Sequence, residues 1–361
     1  MKKVTIDDIA KKAGVSKGTV SAVINQKSTV KPKTRDHVIG VMKSLNYRPK
    51  NYSRLVKNNS EVKSIGLIIK DINYPFYTAI ASGAKEYANS KGYSLFIASS
   101  QNSHESEKEL SHLFVSKDIK GAIIAPVVEG AAEIEHLFKL KMMNYPFVLL
   151  EDVRGIHANV VTIENMLAIK KAVDYLIESG HKRIVHFSGP ASSTHSEERI
   201  EGFKRAFSEH ALKFKKNMVV EIGSDHEESY MRTKDYFLQL DKKDYPTAVV
   251  CFNDLQALAV IMALNELKIC VPEDVSIIGN DDIYYAQIYP VPLTTLRAPQ
   301  IEIGRKAAEI LIQNIEANKP LANQRVSFDS KLIIRESTKM NTTRGARHTD
   351  ALSSSTAHEY Y

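Results

Sequence analysis

Residues 5–25 read TIDDIAKKAGVSKGTVSAVIN, a run that specifies two short amphipathic helices joined by an AGVS turn. Thr5 stands at an N-cap position and Asp8 answers it three residues later, the spacing of a capping box. Ile9 and Ala13 share one helical face, and Gly14 ends that helix. Ser16 offers a second N-cap, after which Val20, Val23 and Ile24 form the inward stripe of a second helix. Its outward face is left with Lys17, Gly18, Ser21, Ala22 and Asn25, small or hydrogen-bonding residues suited to base edges in a major groove. The pattern is that of a helix-turn-helix. An amphipathic pair can also serve nothing but its own core, so the neighbouring sequence has to decide.

Three neighbouring features favour the DNA-binding reading. Pro32 opens a third helical pattern whose Val38, Val41, Met42 and Leu45 fall on one face, completing a three-helix headpiece. Tyr47-Arg48-Pro49 follows, then Lys50 to Lys57, a segment too short to hold a helix alone. Residues 1–63 carry 15 Lys/Arg against 4 Asp/Glu, a net of +11, whereas the whole chain is +7 and the remaining 298 residues therefore carry −4. Positive charge gathered at one end is the footprint of phosphate binding.

From Ser64 onward short apolar runs alternate with helical patterns. Strands are expected at 65–69, 93–98, 121–126 and 147–150, with helices at 76–90 and 105–116 between the first three. A second round follows, with strands at 184–187, 219–222, 248–252 and 275–279 and helices at 197–209 and 230–240. Such an order requires parallel sheets with helices on both faces, here in two similar lobes. Lobes of this kind bind ligands at the carboxyl ends of their strands. The polar residues placed there are Lys70, Asp71, Glu151, Asp152, Asn253, Asp254, Asp281 and Asp282, with Arg199 near the start of a helix. Carboxylates at strand ends also cap helices, so position alone does not separate the two roles.

The stretches VTIDDIAKKAGVSKGTVSAVIN, VKPKTRDHVIGVMKSLNYRP and IGLII resemble the LacI/GalR family of bacterial transcription regulators, over about residues 3–338. The resemblance implies a small all-α helix-turn-helix headpiece followed by an α/β two-lobed, periplasmic-binding-protein-like (type I) effector domain with parallel sheets. It places the headpiece at 1–49, a hinge at 50–60 and the effector-binding and dimerisation domain at 61–338. Lobe 1 takes about 61–160 and 293–325, lobe 2 about 161–292 and 326–338, and a disordered tail 339–361. Lys17, Gly18, Ser21 and Ala22 would read the major groove, while Thr5, Ser16, Thr19, Asn25 and Tyr47 hold phosphates. Residues 50–57 would form hinge helices on a bent minor groove. Arg199-Ile200-Glu201-Gly202-Phe203 is similar to the family's Arg-x-x-Gly-Phe motif, Phe252-Asn253-Asp254 to its Asn-Asp segment, and Gly279-Asn280-Asp281 to its Gly-x-Asp segment. Arg199, Asn253 and Asp281 would then grip ligand hydroxyls or oxyanions, with Glu151 and the aromatic Phe76 beside them, and Asp254 and Asp282 as caps.

The departures from the family are informative. Ala22 stands where many relatives carry Arg or His, and a thymine methyl is its natural contact. Val56 stands where relatives place a wedging leucine, with Leu55 just before it, and Asn51 and Tyr52 replace small or aliphatic hinge residues. Lys70 stands where many relatives have a small or polar residue, and a free lysine there favours an acidic ligand over a neutral sugar. The tail carries no leucine heptads of the kind that join dimers into tetramers, so a homodimer on a pseudo-palindromic operator is expected.

Other classes fit less well. Two cysteines, Cys251 and Cys270, give neither a disulfide framework nor a CxxC pair, and no signal-peptide or membrane-length apolar run occurs, so a cytoplasmic protein off the membrane is expected. There is no Gly-x-Ser-x-Gly elbow, glycine-rich phosphate loop or His-Glu-x-x-His pair, and the 12 histidines are scattered. Neither enzyme chemistry nor a cofactor is expected. The alternative is a sugar-binding module without a regulatory role, against which the basic headpiece argues. The partners implied are double-stranded operator DNA, a sugar, sugar-acid or related effector, and a second copy of the chain.

Overall fold

The computed structural model describes residues 4–47 apart from Gln26, Ser28 and Asn46, and residues 63–341 apart from 128–133, Ser192, Ser224, Asn318 and Pro320. The hinge positions Leu55 and Val56 and the tail beyond Asn341 lie outside the described residues. The chain divides into two compact units, residues 1–62 and residues 63–361.

In the first unit, α1 (Ile6–Ala13) begins with the expected capping box: the Thr5 amide donates to Asp8 Oδ2 at 2.8 Å and the Asp8 amide to Thr5 Oγ1 at 3.4 Å. Gly14 closes the helix at φ +62°, a left-handed conformation that a side chain would strain. Ser16 caps α2 (Lys17–Ile24), its hydroxyl accepting from the Thr19 amide at 3.1 Å. Pro32 starts α3 (Pro32–Ser44), where its missing N–H costs nothing. Ile9, Ala13, Val20, Val23, Ile24, Val38 and Met42 bury together as the small core, with Val41, Leu45 and Tyr47 packed at its edge.

The second unit runs β1 (Lys63–Ile69), α4 (Pro75–Ser90), β2 (Tyr93–Ser99), α5 (His104–Ser116), β3 (Ala122–Ile124), α6 (Glu135–Met142), β4 (Phe147–Leu149), β5 (Asn159–Ile163), α7 (Asn165–Glu178), β6 (Ile184–Ser188), α8 (Thr194–Glu209), β7 (Val219–Glu221), α9 (His226–Leu238), β8 (Ala248–Cys251), α10 (Asp254–Glu266), β9 (Ser276–Asn280), α11 (Tyr284–Ile288), β10 (Thr294–Arg297), α12 (Gln300–Glu316), β11 (Arg325–Phe328) and β12 (Lys331–Ile333). The first sheet is parallel throughout, in the order β11-β5-β4-β3-β1-β2. The second is β12-β10-β9-β8-β6-β7, parallel except for β12 on β10. Apolar side chains cover both faces of each sheet, which is why the strands read as continuous hydrophobic runs.

Strand pairing corrects the expected lobe limits. Thr294 pairs with Ile278, so 294–297 belong to the second lobe, and Arg325 pairs with Val160, so 159–163 and 325–328 both belong to the first. The chain therefore crosses between lobes after Ile163, Arg297 and Phe328. The tail also begins later than expected, since the Asn341 amide donates to Ser179 O at 2.8 Å and His181 Nε2 lies 3.1 Å from Lys339 O.

Within lobe 1, α4 and α12 touch backbone to backbone. A Cβ on Gly83 would stand 1.9 Å from Ile301 O, and one on Gly304 1.9 Å from Ile80 O. This reciprocal approach lies in the middle of α4, the helix whose first turn carries Phe76 and Tyr77.

Candidate functional site

On the headpiece, Lys17, Gly18, Ser21 and Asn25 are exposed along α2 and Ala22 is half-buried, so the expected base-facing set lies on one accessible surface. Several of the expected phosphate holders already have local partners. Ser16 Oγ lies 2.9 Å from Thr19 Oγ1, and Asn25 Nδ2 donates to Ser21 O at 3.0 Å. Thr5 is committed to its capping box with Asp8. Lys17 Nζ sits 2.5 Å from Asp7 Oδ1, a pair between the first turns of α1 and α2.

Between the lobes the strand ends do converge, with additions that the sequence did not announce. Arg199, in the second turn of α8, is buried, and its fork is held from three sides. Nε and Nη2 donate to Asn165 Oδ1 at 3.1 and 3.0 Å, and Nη1 donates to Phe252 O at 2.5 Å. The guanidinium carbon also lies 4.2 Å from the centre of the Phe252 ring. Among the described residues these contacts leave terminal N–H groups unused on a fork whose orientation is already set.

Asp281 follows β9 with φ +117°, a conformation unusual for any residue but glycine and retained here by surrounding bonds. Its carboxyl accepts from the Tyr74 hydroxyl of lobe 1 and from Asn280 Nδ2 at 3.0 Å, and its carbonyl accepts from Gln300 Nε2. Burial raises its pKa to about 6, with Arg199 and Tyr74 pulling the other way. Burial and the nearby Asp281 charge push Asp254 up to about 8.

On lobe 1, Lys70 and Glu151 form an ion pair, and His195 from lobe 2 approaches the other Glu151 oxygen at 3.3 Å. Burial opposes the charge on Glu151, but His195, Lys70 and Arg199 face it and hold its pKa below the ordinary carboxylate value. Burial takes His195 down to about 4, so near pH 7 the ring is neutral and Lys70 carries the compensating charge. Phe76 stacks on Tyr74 at 6.0 Å and meets Tyr77 edge-on at 5.3 Å. Phe76, Tyr77, Glu151, Thr162 and His195 border a narrow recess of about 20 Å³.

Three expectations change. Lys70 is not a free cation waiting for an acid, because Glu151 already neutralises it. Asn253, expected on the ligand, is also the N-cap of α10, its Oδ1 accepting from the Gln256 amide at 2.8 Å. Asp254 and Asp282, expected as caps, tie the fold instead. Asp254 accepts from Thr295 Oγ1 at 2.6 Å and the Ile283 amide at 2.8 Å, while Asp282 pairs with Arg297 and Arg335 at 2.5 and 2.6 Å. Sequence reasoning missed Tyr74 and His195, which meet their partners across the lobes, and Asn165, which meets Arg199 within lobe 2. Tyr74 sits two residues before the aromatic that was singled out.

No described helix is long and apolar enough to cross a membrane. Residues 5–50 match the model of bacterial regulatory proteins of the lacI family, and residues 173–338 that of a periplasmic binding protein-like domain. The chain is 34% identical to the HTH-type transcriptional repressor PurR of Haemophilus influenzae (strain PittEE) over 339 residues, 93% of this chain and 98% of that one. It is 35% identical to the PurR repressor of Actinobacillus pleuropneumoniae serotype 3 (strain JL03), with the same coverage. The crystal structure of the lac repressor dimer bound to operator and the anti-inducer ONPF matches with a TM-score of 0.68 at 25% identity, covering 94% of this chain and 100% of that one. The transcription regulator CcpA of Lactococcus lactis matches with a TM-score of 0.69 at 25% identity, over 77% and 100%. With its helix-turn-helix headpiece, its two-lobed α/β core and relatives of this similarity along nearly the whole chain, the protein belongs to the lacI family of bacterial regulatory proteins.

Proposed function

We propose that this chain is a repressor that binds a pseudo-palindromic operator as a homodimer and is controlled by a small polyhydroxylated, uncharged effector of the sugar class held between its lobes. The observation that carries the effector reading is the charge balance of the cleft. Lys70 is matched by Glu151, and the pKa of Asp281 is raised towards the neutral range. Arg199 keeps its charge but is held as an oriented hydrogen-bond fork by the Asn165 amide oxygen and the Phe252 carbonyl. Such a site offers paired donors and acceptors together with the aromatic faces of Phe76 and Tyr77, which suits a ring carrying hydroxyls. A carboxylate or phosphate would have to compete with Glu151 for Lys70.

The lobes are bridged by Tyr74 on Asp281 and by Arg154 on Glu197, with His195 of lobe 2 lying 3.3 Å from Glu151 of lobe 1. A ligand entering the cleft replaces some of these bridges, and it shifts the lobe arrangement by as much as it prefers one arrangement over another. Exposed Phe96 and Ile97 on the outer strand β2 give a second copy an apolar edge to cover.

The test uses the full chain in two steps. A thermal-shift screen of pentoses, hexoses, disaccharides, their acids and nucleobases should yield a neutral sugar that raises the melting temperature. That sugar should then change the affinity for a duplex selected from a random library, and without ligand log affinity should fall against log salt with a slope of about −5 to −10. A shift by an acid or a nucleobase alone removes the sugar, and a flat salt response removes the operator.

A further inference from the structure

The headpiece places an acidic side chain on its DNA-facing surface, and phosphate binding does not account for it. Among residues 1–63, where Lys and Arg outnumber Asp and Glu by 15 to 4, Asp7 is paired with Lys17, and no other partner of Asp7 occurs among the described residues. The other acid of that turn, Asp8, is used in the capping box. The dipole of α1 favours an acid at Asp7, in its first turn, but Lys17 occupies the first position of α2, where a cation is disfavoured, so helix stability does not explain the pairing of the two. The other expected base readers, Gly18, Ser21 and Ala22, have no long side chain, which leaves Lys17 as the long donor among them. Gly18 keeps the surface beside it low: a Cβ there would meet nothing nearer than Ser16 Oγ at 3.6 Å.

We infer that Asp7 is a specificity-determining residue which, side by side with Lys17, reads one G·C base pair in each half-site. This rests on the operator-binding reading given above. A G·C pair presents the O6 and N7 acceptors of guanine next to the N4 amino group of cytosine. An ammonium and a carboxylate 2.5 Å apart match that edge, the ammonium donating to guanine and the carboxylate accepting from cytosine. An A·T pair offers the ammonium poorer terms, because adenine pairs one acceptor with a donor and the thymine methyl crowds its oxygen. The side chains of Lys17 and Asp7 are 71% and 52% exposed, so the pair is weakly held and opens readily to a base. A carboxylate near phosphates also repels duplexes that lack the matching pair, so it discriminates by penalty as well as by contact.

The experiment selects duplexes from a randomised library with the full-length wild type, Asp7→Ala, Asp7→Asn and Lys17→Ala, and measures affinity for a fixed non-specific duplex. Asp7 is exposed and outside the capping box, so these variants keep the headpiece core. Expected is a wild-type pool with one dominant G·C position per half-site. Asp7→Ala should lose about tenfold discrimination at that position alone, while non-specific affinity stays level or rises. Asp7→Asn should move the preference towards adenine, which an amide reads bidentately. An unchanged pool with Asp7→Ala, or an equal weakening on every duplex, overturns the inference and leaves operator binding standing. A wild type that enriches no sequence and shows no salt-dependent binding overturns both.

Discussion

Asp281 links the two lobes at a single carboxyl, and its protonation has a defined effect on stability. The folded pKa of about 6 lies above the ordinary value of 3.8, chiefly because the group is buried. The fold therefore favours the protonated form: the contribution is fully present below 3.8 and is lost as pH rises through 6. Asp281→Asn removes this dependence. The stability of the wild type relative to that variant should fall by about 2 kcal/mol between pH 4.5 and 7.5, measured by urea unfolding at the two values. A difference that does not move with pH would show that the carboxyl is ionised in the fold with no such penalty. Arg199 and Asp281 were legible in the sequence because each sits in a short motif whose neighbours are diagnostic. Tyr74, Asn165 and His195 carry no such local mark. The capping role of Asn253 was not legible, because an Asn immediately before a helix serves equally well as a ligand group and as a cap, and the 2.8 Å bond to the Gln256 amide shows only the second.

The contact between α4 and α12 depends on two glycines that admit no side chain. Gly304→Ala would drive a methyl group into Ile80 O, forcing the helices apart at a cost of about 1–3 kcal/mol or more. Its melting temperature should drop by several degrees in a calorimetric scan, and because α4 leads out of Tyr74 to Tyr77, the effector should bind more weakly as well. An unaltered scan would mean that the pair relaxes freely. The three headpiece helices were legible because their signals, caps at Thr5 and Ser16, Gly14 at a stop and Pro32 at a start, act within a few residues of one another. The strands β10, β11 and β12 were not. Each is three or four residues long, and whether 294–297 joins one sheet or the other is decided by partners such as Ile278, far away in sequence.

The chain separates into a basic headpiece and a weakly acidic core, each with its own buried apolar cluster. A chain beginning at Lys63 should therefore fold, melt within a few degrees of the full-length core transition, keep effector binding and lose duplex binding. Circular dichroism and fluorescence anisotropy check this, and an unfolded product would refute the division at 62. The order of the strands also bears on synthesis. The headpiece is complete once its own residues have left the ribosome. Neither lobe is, because the first sheet waits for Arg325–Phe328 to cover β5 and the second waits for Lys331–Ile333 to cover β10. For most of translation the cell thus holds a chain whose DNA-binding end is finished while both of its sheets still present an open edge. Loss of only the last described strands would leave two unsealed lobes rather than one.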